Sequence, residues 1–206
     1  MRRFFLLLFC LPYLSWAGSG NDAFNHGQSR LALQRYLQEA KAGNPTSQYN
    51  YGAMLVNGDG TRANPKTGGQ WIRKAAEQGF AEAQYRLGWM LERGLGMKKD
   101  LPQAIDWYRK AAEQNQVDAQ MELANRYFSG AALPRDDVQA AHWYREAARR
   151  GDIAAQYVLG SLYEKGYGVE ADLQEALNWY QEAANQGDIA AVSKVRELSE
   201  RLKLTR

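Results

Sequence analysis

The pentapeptide Gly-Asp-Ile-Ala-Ala occurs at residues 151–155 and again at 187–191, and the 36-residue offset between the copies governs the chain. Breaking the sequence at each such start gives four registers of equal length, 43–78, 79–114, 115–150 and 151–186, without insertion or deletion. A fifth begins at Gly187 and runs to Arg206. The second and fourth registers agree at 17 of 36 positions, too many for chance, so the unit of folding is the repeat. A unit of this size cannot bury an apolar face alone, and its fixed period predicts stacking into a helical solenoid.

The columns of the repeat describe two helices and their caps. Ala83, Leu87 and Leu91 recur at helical spacing in the first half of each unit. That helix ends at Gly94, matched by Gly58, Gly130 and Gly166, where a left-handed cap favours glycine. A second glycine follows at Gly60, Gly96 and Gly168, closing a tight loop. Asn64, Asp100, Asp136 and Asp172 are placed to N-cap the second helix, and Pro65 and Pro102 sit just inside it, where no N–H is needed. The second helix carries Trp71, Trp107, Trp143 and Trp179, then paired alanines such as Ala111-Ala112. The tryptophans are expected to fill the core between units. Gly52, Gly88, Ala124 and Gly160 form a small-residue column that lets helices approach closely. The predicted fold is an all-α solenoid of antiparallel helix pairs. Residues 28–42 supply the second half of a preceding unit, since Tyr36 and Ala40 lie 72 residues before Tyr108 and Ala112.

The ends have their own logic. Arg2-Arg3, the apolar run from Phe4 to Leu14 and the small residues Ser15 and Ala17 predict a secretory signal peptide over residues 1–17. An apolar run of eleven residues is too short to span a bilayer, so no integral membrane segment is expected after cleavage. The arginine pair resembles a twin-arginine export motif, but the Leu/Phe-rich core favours the general secretory route. Cys10 lies inside that core, which argues against lipidation. Cleavage would remove Arg2 and Arg3, leaving 24 basic against 23 acidic residues, and would also remove the single cysteine. A near-neutral chain gives no electrostatic case for nucleic acid, and a cysteine-free one must be stabilised by packing. Residues 18–27 read as a flexible leader. The last helix, within 187–206, keeps Val192, Val195, Leu198 and Leu202 but places Arg196 in the small-residue column, as a cap with a polar outer face requires.

These columns resemble the Sel1-like repeat family, relatives of the tetratricopeptide repeat. The carrying motifs are A-x-Q and L-G in the first helix, the G-x-G loop, the capping aspartate, and A-x-x-W-Y-x-x-A-A in the second helix. The resemblance spans residues 28 to 203 and implies a right-handed superhelical array with a concave face lined by the first helices. It further implies a non-catalytic adaptor in the bacterial cell envelope, periplasmic after export, that binds a protein or peptide segment. A secreted host-interaction or effector protein with the same fold is the alternative. A cysteine-rich subgroup resembles β-lactamases or penicillin-binding proteins, but it carries a disulfide in each repeat, which this sequence lacks.

Catalytic chemistry finds no footing in the residues. His26 and His142 are the only histidines, neither has a ligand cluster at metal spacing, and no serine has a lysine three residues later. No cofactor and no metal is expected. Binding candidates come from a stripe at unit positions 4, 7, 11 and 14 of the first helix, distinct from the core positions 5, 6, 9 and 13. Position 7 holds Tyr49, Tyr85, Met121 and Tyr157; position 11 holds Ala53, Trp89, Asn125 and Ser161; position 14 holds Val56, Glu92, Phe128 and Glu164. Arg93 stands at the rim. Trp89 and Phe128 interrupt small or polar columns, so stacking alone does not require them, although packing over a neighbouring unit would also account for them. In the third unit Ala132 replaces the second loop glycine, and the loop at 131–135 is expected to bulge, through drift or as a contact point.

Overall fold

The recurring caps cut the chain into helices of uniform length. The structure, a computed structural model, describes residues 20–25 and 27–204; the export signal proposed for residues 1–17 lies outside them. The described residues form eleven helices and no strand: α1 (Gly20–Asn25), α2 (Ser29–Lys41), α3 (Pro45–Asn57), α4 (Pro65–Glu77), α5 (Ala81–Arg93), α6 (Leu101–Glu113), α7 (Val117–Ser129), α8 (Asp137–Arg149), α9 (Ile153–Lys165), α10 (Leu173–Asn185) and α11 (Ile189–Leu204). Each packs mainly on its sequence neighbours, which makes an all-α solenoid of helix pairs. We call α3, α5, α7, α9 and α11 the A helices, and α4, α6, α8 and α10 the B helices.

Each of the four caps expected for the B helices is made: the side chains of Asn64, Asp100, Asp136 and Asp172 accept from backbone N–H groups in the first turn. The A helices end at Gly58, Gly94, Gly130 and Gly166 in the left-handed conformation. The repeated Gly-Asp-Ile-Ala-Ala is itself a cap, because Asp152 and Asp188 accept from the N–H of Ala155 and Ala191 at 2.7 Å. Both alanines are fully buried.

The core differs from the expectation in one respect. Ala83, Leu87 and Leu91 are buried as their spacing requires, but the tryptophan column is only half-buried. The interior belongs to the next position, occupied by Ile72, Tyr108, Tyr144 and Tyr180. One residue along a helix turns the side chain by about 100°, and the tyrosine points inward while the tryptophan lies on the flank. There Lys74 and Lys110, one turn on, cover Trp71 and Trp107 at 4.2 Å from the ring centroids. Tyrosine suits the interior because its hydroxyl finds an acceptor on the A helix of the same unit: Glu92 for Tyr108 (2.9 Å), Asn125 for Tyr144 (2.7 Å) and Glu164 for Tyr180 (2.9 Å).

A buried glutamine holds consecutive units together. Gln48, Gln84, Gln120 and Gln156 each donate from Nε2 to a carbonyl near the end of the preceding helix, at Ala40, Ala76, Ala112 and Ala148, over 3.1–3.2 Å. In three units the same amide accepts from the glutamine that ends the following B helix: Gln78 to Gln48 and Gln114 to Gln84 at 2.7 Å, and Gln186 to Gln156 at 2.8 Å. One side chain thus ties three consecutive helices. The third unit breaks the pattern. Arg150 stands where glutamine is expected and turns instead to Asn115 and Glu146, so Gln120 Oε1 is buried without a partner.

Three local expectations are revised. The loop at 131–135 keeps the local backbone of its counterparts, since Ala132 takes φ +66°, close to the +69° to +72° of Gly60, Gly96 and Gly168. A Cβ on Gly168 would lie 1.8 Å from the Asp137 carbonyl oxygen, so a loop carrying Ala132 must stand further from the preceding helix. A cleft of about 290 Å³ between Leu101, Ile105, Ala132 and Leu133 marks that gap. Within the leader, residues 20–25 form α1, held to α2 by the Tyr36 hydroxyl donating to Asn21 Oδ1 at 2.5 Å and by Gly20 N donating to Glu39 at 3.2 Å. In the terminal helix Leu198 is buried and Arg196 exposed as expected, but Val192 is exposed.

Two substitutions test this account by urea unfolding. Tyr144→Ala is expected to cost about 3–5 kcal/mol and Trp143→Ala only about 1–2 kcal/mol, an order that reverses if the tryptophans fill the core. Arg150→Gln restores the missing donor to Gln120 and is expected to stabilise by about 1 kcal/mol, since the partly exposed ion pair with Glu146 that it gives up is worth less.

Candidate partner-binding face

The A helices share a face because their side chains reach one another across units. Arg126 on α7 donates to Glu92 on α5 at 2.8 Å, and Lys194 on α11 donates to Glu164 on α9 at 3.2 Å. These partners are 34 and 30 residues apart, about one repeat. Arg126 also pairs with Glu122 at 3.2 Å, and Arg201 reaches Glu164 at 3.3 Å. Charge on this face is therefore largely neutralised from within.

The residues singled out in the sequence separate into two groups. Tyr49 packs edge-on against Phe80 with centroids 5.5 Å apart, Tyr85 leans on Tyr108 at 5.7 Å, and Tyr157 leans on Tyr180 at 5.3 Å. All three are half-buried, and burial raises the hydroxyl pKa of Tyr49 and Tyr85 above the ordinary tyrosine value. Asn125 is exposed, but its carbonyl oxygen is taken by the Tyr144 hydroxyl, whose pKa burial raises to about 12. These four side chains hold helices to one another, a role that leaves only their outer edges for a ligand.

Trp89, Phe128 and Arg93 form the second group. Trp89 is half-buried against the core around Leu87 and Met90, with the guanidinium carbons of Arg86 and Arg93 at 4.5 and 4.6 Å from its ring. Those arginines lie three residues before and four after it, hence on the same side of α5. Among the described residues neither arginine has a carboxylate within 4.0 Å, and Arg86 Nε is buried without an acceptor. Phe128 belongs to the next cluster, 6.4 Å from Tyr167 and with the Arg135 guanidinium 5.6 Å away. Arg135 is itself held by Asp137 at 2.8 Å, so the two aromatic sites differ in having free or engaged cations.

Arg86 is the residue that reading columns one at a time passes over, since position 8 varies in every unit (Asn50, Arg86, Glu122, Val158, Lys194). The signal for the whole network is opposite charge separated by about one repeat. His142 is exposed, edge-on to Trp143 at 4.8 Å, and His26 lies outside the described residues. Among the described residues no three His, Cys, Asp or Glu side chains cluster as metal ligands, and no helix is long and apolar enough to cross a membrane.

A stack of capped helix pairs with a partly polar, side-chain-rich face is the form of a helical repeat scaffold. Comparison with known proteins gives the family. The Sel1 repeat matches residues 45–80, 81–116, 117–152 and 153–188, the same period as the units read from the sequence with the phase set two residues later. The chain is 34% identical to a Sel1 repeat protein from Oxalobacter formigenes, covering 86% of this chain and 73% of that one with a TM-score of 0.80. It is 32% identical to c5321, a protective antigen present in uropathogenic Escherichia coli strains that displays an SLR fold; the match covers 88% of this chain but 40% of that one, at a TM-score of 0.83. A Klebsiella pneumoniae sel1 repeat protein, 23% identical and covering 87% and 89% of the two chains, shares the fold at a TM-score of 0.53. No protein of curated function matches. The chain belongs to the Sel1 repeat family, whose repeats typically mediate protein–protein interaction and are generally non-catalytic.

The Glu92 carboxylate gives this face a measurable pH dependence. Its partial burial acts to raise its pKa, but the hydrogen bonds from Arg126 and Tyr108 together outweigh that, and the value falls below the ordinary glutamate range. A depressed carboxylate contributes stability that is fully present above the unfolded-state pKa and is lost as pH falls through the folded one. Glu92→Gln is therefore expected to lower the urea midpoint at pH 7 and to match the parent at strongly acid pH. Equal midpoints at pH 7 would remove Glu92 from the account of how α5, α6 and α7 are joined.

Proposed function

We propose that this chain is a non-catalytic scaffold of the bacterial cell envelope that holds a segment of another protein on its A-helix face. The observation that carries the reading is Trp89, a large aromatic left half-exposed between two arginines that form no ion pair with the described residues. Aromatic and arginine side chains in a partly desolvated setting are the usual energetic centres of protein interfaces. Phe128, one unit further along the array, extends the surface. Family membership supports an interaction role, and the pattern of residues 1–17 supports export to the periplasm.

A second reading, a secreted protein that meets a host, draws on the similarity to a protective antigen of uropathogenic Escherichia coli, of whose length this chain spans 40%. The two readings differ in location, which fractionation into periplasmic extract and culture supernatant decides.

Capture from envelope extract tests the scaffold reading. The parent protein is expected to retain a discrete protein partner, and a Trp89→Ala/Phe128→Ala double variant with an unaltered helical circular-dichroism spectrum is expected to bind it at least about tenfold more weakly. Undiminished binding by the double variant would move the interface elsewhere.

A further inference from the structure

The repeat contains its own control for the Trp89 site. In the fifth unit Lys194, Glu197 and Arg201 occupy the eighth, eleventh and fifteenth positions, and Glu164 occupies the fourteenth position of the unit before. Both cations there are neutralised: Lys194 pairs with Glu164 at 3.2 Å and Glu197 at 3.1 Å, and Arg201 pairs with the same two carboxylates at 3.3 and 3.7 Å. The Glu164 side chain is only 12% exposed, so its carboxylate sits within the face rather than above it. In the second unit the equivalent residues are Arg86, Trp89 and Arg93, with Val56 before them. The two cations remain, and both carboxylates have become apolar. Units three and four lack the pair of cations altogether, with Glu122 and Ser129 in one and Val158 and Lys165 in the other.

Retaining two arginines while removing the carboxylates that pair with their counterparts in the last unit leaves Arg86 half-buried and Arg93 exposed beside the indole, neither in an ion pair with the described residues. Arg86 Nε is in addition buried with no acceptor. Glu92 acts on Arg93 at a distance but is hydrogen-bonded to Arg126 and Tyr108, and Glu82 lies one turn before Arg86 without an ion pair to it. A guanidinium lying against an indole keeps its planar edge free, and that edge presents paired N–H donors at the spacing of a carboxylate. Resting on the reading that this face binds a protein segment, we infer that α3 and α5 form a seat for an acidic segment of the partner. Arg86 and Arg93 fork onto an Asp or Glu side chain of that segment, in the place Glu164 fills in the last unit. An apolar residue beside the acid packs on the exposed part of Trp89 above Val56.

Side-chain carboxylate is favoured over a polyanion by the surroundings. Glu82, Asp118 and Glu122 act on the pKa of the Tyr49 and Tyr85 hydroxyls, as Arg86 does with opposite sign, so this stretch of the face is of mixed charge. A phosphate backbone running along the face would meet several of those carboxylates at once, whereas a single acidic residue between the two arginines adds one charge beside two cations.

The test uses the full chain as bait for short random peptides displayed without a free C-terminal carboxylate, followed by titration of the enriched sequences as synthetic peptides. Enriched sequences are expected to carry Asp or Glu next to a large apolar residue, and replacing that acid by its amide should weaken binding about tenfold or more. Affinity should fall as salt is added. Val56→Glu supplies an internal carboxylate where Glu164 stands in the last unit, and should weaken binding by a similar factor. Arg86→Gln/Arg93→Gln should do the same if Val56→Glu fails to fold. Peptides that bind without an acidic residue, yet depend on Trp89, would overturn this inference and leave the scaffold reading standing. Peptides indifferent to Trp89→Ala/Phe128→Ala, or no enrichment at all, would overturn both. Competition by a single-stranded oligonucleotide at equal charge would replace the acidic segment by nucleic acid as the ligand.

Discussion

A buried side-chain amide at the sixth position of each of the four full units ties neighbouring helix pairs together. It donates to a carbonyl near the end of the helix before it and, in three units, accepts from the residue that ends the helix after it. A helix end leaves carbonyls without intrahelical partners, and burying one unsatisfied would cost about 1–3 kcal/mol. The glutamine removes that cost at the place where a B helix must be covered by the next A helix. Alanine columns allow the approach, and the amide makes it specific. Because the bond joins only neighbours, stability accumulates unit by unit, and each unit is free to vary wherever it does not touch the next.

Much of this was legible before the structure. Period, caps and helix boundaries follow from residues whose backbone or capping role is local, such as Asp100 and Gly94, and local roles leave a mark at one sequence position. Two things were not legible. Trp107 and Tyr108 are adjacent and both aromatic, so periodicity cannot say which turns inward, and the answer depends on where Glu92 offers an acceptor. The tyrosines on the A helices stood out as surface aromatics because their partners, such as Phe80 for Tyr49, lie in other columns. Cross-unit ion pairs are hidden for the same reason. Glu92 and Arg126 occupy positions 14 and 12, and only comparison of one line with the next brings them together.

The third unit shows how much irregularity such an array absorbs. Asn115 and Ala132 hold positive φ values of 70° and 66° in place of glycine, and Arg150 replaces a glutamine that would have completed the amide ladder. None of these shifts a helix boundary: α7 and α8 remain 13 residues long, like their counterparts. Departure from the repeat is therefore not in itself a sign of function. Ala132 costs local strain and leaves a cleft, yet nothing about it presents an unmet chemical need to a partner.

The second unit departs in a different manner, and the distinction lies in electrostatics. Along the A-helix face, glutamates at position 14 neutralise cations of the following unit, as Glu92 does for Arg126 and Glu164 for Lys194 and Arg201. A neutral substitution that removed acid and base together would leave no trace of interest. At Arg86 and Arg93 the acids are gone and the bases remain, packed on a tryptophan that no other unit carries at that position. Arg86 is half-buried and Arg93 exposed, and an external carboxylate placed between them would supply the ion pairs that Glu164 and Glu197 supply in the last unit. Stacking accounts for the glutamines, alanines and tyrosines of this repeat; it does not account for two unpaired arginines.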